Sequence, residues 1–142
     1  MTAPAGPIAK MMAGFAELID AAGIGVYRES GEYAWNEVGV TVVALPSTPD
    51  NVIVLSPYAV DMAAYESDAT TGMQVRIRAG EDPRPLLDRA DALTDLIHDL
   101  NGVDIGGIRV VTSTLQSATP MGQDGNLRHE HSLNFYIAYS RP

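Results

Sequence analysis

His129 and His131 stand two residues apart, a spacing that puts both imidazoles on one face of a strand. Such a pair could fill two positions of a zinc or nickel site. A third ligand must come from elsewhere, because Glu130 points the other way; the alternative is two histidines opening a strand near solvent. His98 falls in the last turn of a helical pattern, where an imidazole suits the negative end of the helix dipole. Asp88, Asp91, Asp95 and Asp99 are spaced by three, four and four, which makes one narrow stripe along that helix. Arg84 shares the stripe and can pair with Asp88. Acid–base work by two carboxylates needs one raised pKa inside a pocket, whereas a solvated face exposes them all. Gly106-Gly107 has no helix N-terminus after it and no phosphate-loop spacing around it, so it reads as a tight turn or bulge. Neither GxSxG nor HExxH occurs. These residues assemble no catalytic kit. The expectation is a protein that is not an enzyme and uses no metal or cofactor.

Composition narrows the remaining classes. The chain has 142 residues, 46% of them hydrophobic and 19% charged, which fits one globular domain over residues 1–142. There is no cysteine, so disulfides, thiol catalysis and Cys-ligated metals are excluded. Net charge is −9, with one lysine and scattered arginines, and phosphate gripping needs clustered cations. Tight nucleic-acid binding is therefore not expected, although an acidic wall can repel DNA. Glu17 and Asp20 interrupt the apolar N-terminal stretch, which reads as a helix rather than a targeting segment. No run approaches the ~20 apolar residues of a membrane span.

The elements that position these residues follow from periodicity. Pro7 opens a helix whose stripe is Ile8, Met11, Met12, Phe15, Leu18, Ile19 and Ala22, and Gly23 and Gly25 stop it. Short strands are expected at 25–28, 38–45 and 52–55. Tyr33 and Trp35 follow a turn, and either a contact surface or the core could hold them. Residues 56–72 read as a long loop or insertion. Met73, Val75 and Ile77 alternate with Gln74, Arg76 and Arg78 on a strand. Asp82 and Pro83 then start a helix with Leu86, Ala90, Leu93, Ile97 and Leu100 buried, ended by Asn101-Gly102. Strands 103–105 and 108–115 flank the glycine pair. Residues 116–128 read as a loop, and His131–Tyr139 as the last strand. The expected class is α+β, a mostly antiparallel or mixed sheet with two main helices packed on one face.

Five segments carry a further signal. They are GIGVYRESGEYAW (23–35), ALPSTPDNVIVL (44–55), MQVRIRAGEDPRPLLDRADALTDLIHDLNG (73–102), VDIGGIRVV (103–111) and PMGQDGNLRHEHSLNFYIAYSRP (120–142). In this order and over almost the full length, the chain resembles the tail-terminator, or tail-completion, proteins of long-tailed bacteriophages, especially those of actinobacterial hosts. The resemblance implies a tail-terminator-like fold and a non-enzymatic virion protein at the head-proximal end of the tail, made in the host cytoplasm. It implies a ring, usually a homohexamer, that ends tail-tube polymerisation and joins tail to head. Its partners would be itself, the tail tube protein and a head-closure or connector protein, with DNA passing through the lumen and no membrane involved. On that reading, Tyr58, Tyr65, Gln116, Met121, Gln123, Asp124 and Arg128 are candidate assembly contacts. Glu66, Asp68, Asp88, Asp91, Asp95 and Asp99 are candidate acids of the lumen. Excising residues 121–126 is expected to spare the fold. Two other classes stay open: another neck component, and a small oligomeric α+β domain that binds a ligand.

Overall fold

The computed structural model describes residues 6–61 and 68–142. Helix α1 spans Pro7–Ala21 and helix α2 spans Arg84–Ile97. The strands are β1 (Val26–Tyr27), β2 (Gly39–Val42), β3 (Val52–Asp61), β4 (Asp68–Arg78), β5 (Asn101–Ile105), β6 (Ile108–Gln123) and β7 (His129–Ser140). They form one sheet in the order β1-β2-β3-β4-β7-β6-β5. β1, β2 and β3 run parallel to one another, and every other pairing is antiparallel, so the sheet is mixed. The α+β class is as expected.

Two expected loops and one expected helix end are corrected. Segments 56–61 and 68–72 are strand, pairing Ser56 with Gln74 and Ala59 with Thr71. Segment 116–123 is strand as well, pairing Ser117 with Asn134 and Gln123 with His129. Dense Pro, Gly and acidic residues suggested loops, but cross-strand pairing over a long hairpin overrides local propensity. Asn101-Gly102 does not end α2; Asp99, at φ 68, ends it, and Asn101 already begins β5.

Local chemistry explains the helix ends. The Gly23 and Ile24 amides donate to Asp20 and Ile19 carbonyls, closing α1 with a left-handed glycine at φ 75. Asp82 Oδ1 accepts the Arg84 amide at 3.0 Å, and Pro83 is already helical at φ −76. Ser113 closes α2: its hydroxyl donates to the Ile97 carbonyl and accepts the Leu100 amide.

One core cluster joins both helices to one face of the sheet. It contains Met11, Phe15 and Ile19 of α1, Leu86, Leu93 and Ile97 of α2, and Met73, Val75, Ile77, Leu133, Phe135 and Ile137 of β4 and β7. Each of the larger side chains contributes ~1.5–3 kcal/mol through burial. Leu100 is only half-buried. Gly14 lets α1 meet the β5–β6 turn backbone to backbone: a Cβ there would lie 2.4 Å from the Gly106 nitrogen.

Candidate assembly surfaces

The face of the sheet away from the helices is built from the alternate residues of β4 and β7. Gln74 Nε2 donates to Ser132 Oγ at 3.3 Å, and Asn134 Nδ2 donates to Ser132 and Ser117 hydroxyls at 3.2 and 3.1 Å. Arg76 pairs with Glu130 at 2.9 Å, which neutralises the charge there. Tyr58 lies over Gly72, where any Cβ would strike its ring at 2.1 Å. Tyr58 and Tyr136 are each 39% exposed. This surface is thus amides, hydroxyls and two tyrosines.

A second surface is the tip of the β6–β7 hairpin. Met121, Gln123 and Leu127 are exposed there, whereas Gln116 is exposed midway along β6, beside the Phe135 and Asn134 register. Asp124 and Arg128 sit beneath. Asp124 accepts the Asn126 and Arg128 amides at 2.9 and 3.0 Å and the Arg128 guanidinium at 2.8 Å. Burial pushes the Asp124 carboxyl up, but these hydrogen bonds outweigh it and hold it below its ordinary value. Arg128 is buried and donates onward to the Ser47 carbonyl at 2.6 Å. Arg78, also buried, donates to the Pro46, Pro49 and Asp50 carbonyls at 2.7, 2.8 and 3.0 Å. Burial first, and then the neighbouring charge of Arg128, pulls the Arg78 pKa down. Sequence reading placed Arg78 on a polar strand face. Its role in holding the 46–50 backbone lies between residues ~30 apart in the chain, and no local signal announces it.

The 28–38 loop forms a third surface. Arg28 and Glu37 make a bidentate pair, both contacts at 2.7 Å. Arg28, and then the Ala34 amide, hold the Glu37 carboxyl down to about 2. The Arg28 guanidinium lies 5.6 Å from the Tyr33 ring centroid, and the Tyr33 hydroxyl donates to the Val40 carbonyl. Tyr33 is therefore structural, whereas Trp35, beside it, is 84% exposed.

Asp88, Asp91 and Asp95 are exposed on α2, and Asp99 is exposed just after it. Asp99, past the end of the helix at φ 68, falls outside the helical spacing that the stripe assumed. Arg84 pairs with Asp82 at 2.8 Å, not with Asp88 as expected. Asp68 opens β4 and accepts the Ser140 hydroxyl at 3.3 Å. Tyr65 and Glu66 lie outside the described residues.

The histidines do not converge. His98 lies just past α2, and its Nδ1 accepts the Leu115 amide at 2.9 Å. His131 is buried, and its Nδ1 has no hydrogen-bond partner. Among the described residues, no three His, Asp or Glu side chains are placed to hold a metal. Burial lowers the His131 pKa below its ordinary 6.5, with Asp91 opposing. A lowered native pKa means the unfolded chain takes the proton first. Stability from this group is thus complete above about 6.5 and declines as pH falls toward the native value. The urea midpoint of the wild type should fall through this window, and His131→Leu should flatten that part of the curve. Parallel curves for the two proteins would refute the assignment.

Comparison with known proteins decides the family. A family model of bacteriophage tail terminator proteins matches residues 18–141. The chain belongs to the bacteriophage tail terminator family. As a tail terminator family member it is a structural protein of the phage virion tail. No curated protein matches the chain. Among solved structures, a chain from a virion of a native gene transfer agent particle is similar, with 13% identity and TM-score 0.59. That match covers 70% of this chain and 78% of the other. A second solved structure, at 18% identity and TM-score 0.56, covers 95% of both chains. At such identities these likenesses speak for a shared fold.

Proposed function

We propose that this tail terminator forms a closed ring of six subunits on the head-proximal end of the tail tube. There it ends tube polymerisation and presents the surface that receives the head through a connector or head-closure protein. The family match over residues 18–141 carries this reading. The mechanism is geometric and needs no catalysis: one side of the ring copies the tube's contact surface, and the other offers no repeat of it. The hairpin tip, with Met121 and Gln123 exposed above the Asp124–Arg128 lock, is assigned to the contact with the tube or connector, together with Gln116 further along β6. Tyr58, on the helix-free face, is assigned to contacts between subunits. The Asp88, Asp91, Asp95 and Asp99 surface, with Asp68, is assigned to the lumen, where like-charge repulsion over ~8 Å keeps a duplex off the wall.

The test is imaging of tails made with and without the chain. Without it, tubes should overrun their length and carry no heads. With it, the head-proximal end should show a closed ring of this protein. Tails of uniform, correct length in its absence would refute the reading. The same reconstruction locates α2, and an α2 on the outer rim would remove the acidic stripe from the lumen.

A further inference from the structure

Trp35 is the only tryptophan in the chain and, among the described residues, the most exposed large apolar side chain. An exposed indole on a mobile loop would mean little. Here the loop is fixed on either side of it, by the Arg28–Glu37 pair and by the Tyr33 hydroxyl on the Val40 carbonyl. The aromatic group is therefore held out in a set position, and little ordering entropy remains to be lost on docking. Elsewhere the surface carries an apolar recess of about 270 Å³ between the start of α1 and the far ends of β3, β4 and β7. Ile8, Pro57, Tyr58, Ala59, Thr71 and Tyr139 line it, and among the described residues none of its lining is charged. It has room for an indole, which buries ~150–250 Å² when covered.

The sheet margins argue that copies meet through such side chains. Among the described residues, β3 has no outer partner beyond Leu55, and β6, held by Asp99, Leu100 and His98 as far as Leu115, has none beyond it. Each free edge contains a proline, Pro57 or Pro120, and a register shift. Those features blunt an edge against strand addition. A chain of net charge −9 also repels its own copies, so a contact between an uncharged knob and an uncharged recess is favoured.

We propose that Trp35 of one subunit seats in the Ile8–Tyr58–Tyr139 recess of the next, head to tail, and is the main anchor of the ring interface. This rests on the ring reading above and names its contact. A knob and a recess at different places on one surface give a heterologous interface, the kind that closes into rings.

The experiment uses the full chain on tail ends. Hydroxyl-radical footprinting reads Trp35 oxidation in the free protein and in purified tails. Assembly should cut that oxidation at least about 10-fold. Trp35→Ser, at an exposed position, should keep the fold and weaken incorporation at least about 30-fold, whereas Trp35→Phe should retain most of it. Ala59→Phe, checked for native circular dichroism, fills the recess and should also block incorporation. Mixing Trp35→Ser with Ala59→Phe should give pairs and no rings, since only one of the two kinds of contact survives. Trp35 as reactive in assembled rings as in the free chain overturns the proposal and leaves the tail-end assignment intact. So does Trp35 protection that Ala59→Phe leaves unchanged, or a ring assembled normally from Trp35→Ser. Absence of the chain from tail ends instead sinks the ring reading itself.

Discussion

Gly106→Val should strip the domain of a large part of its stability at 25 °C. Gly106 has φ 62, where a β-branched residue is a strong outlier. A Cβ there would lie 2.0 Å from the Lys10 carbonyl oxygen and 3.3 Å from the Gly14 Cα. Both obstacles are backbone of α1, so no side chain can swing aside. Relief requires lifting α1 from the turn, which uncovers Met11 and Phe15. The loss should be about 4 kcal/mol or more, against a total of ~5–15 kcal/mol for a domain of this size. Gly107 supplies the contrast. Its φ is 85, but nothing lies within 4 Å of its added Cβ. Gly107→Asn, a residue that tolerates this region, should change stability by less than about 1 kcal/mol. Urea unfolding of the two variants checks both. A Gly106→Val midpoint near that of the wild type would refute the backbone contact.

The second large effect concerns the hairpin tip. Met121→Glu with Leu127→Glu should leave folding unchanged and abolish the joining of heads to tails. Both side chains are exposed, at 45% and 54%, so neither supports the core. Loss of two apolar anchors, with charge introduced in their place, should weaken docking at least about 100-fold. Counts of joined particles by electron microscopy measure it. Normal yields of joined, infectious particles would remove the tip from the docking surface. Excising 121–126 is the wrong test of this idea, and its expected neutrality does not survive the structure. It would remove Asp124, release Arg128, and so free the 46–50 segment that Arg128 and Arg78 hold.

Elements with a clear period were legible in the sequence. The α1 stripe, the β4 and β7 alternations and the buried face of α2 all follow from spacing alone. The family was legible too, through the order of segments rather than any single residue. Hairpin lengths were not. Residues 116–123 contain Ser, Pro and Gly and are exposed along their length, so only pairing with β7 makes them a strand. The parallel β2–β3 connection was hidden for a related reason. Its return path depends on buried Arg78 meeting three carbonyls, and hydrogen bonds to main chain leave no trace in composition. Trp35 and Tyr33 look alike in sequence, yet only one points outward, because Arg28 and Val40 hold the other.

β7 is paired along its length on both sides, with β4 from Glu130 to Ser140 and with β6 from His129 to Tyr139. A pull along this strand loads two hydrogen-bond ladders in shear, and the bonds must yield together rather than one after another. Tension entering at the hairpin tip passes through Arg128 into the 46–50 segment and through β7 into the centre of the sheet. The tip is therefore the mechanically stiff end of the molecule, suited to bearing a load transmitted from whatever is docked on it.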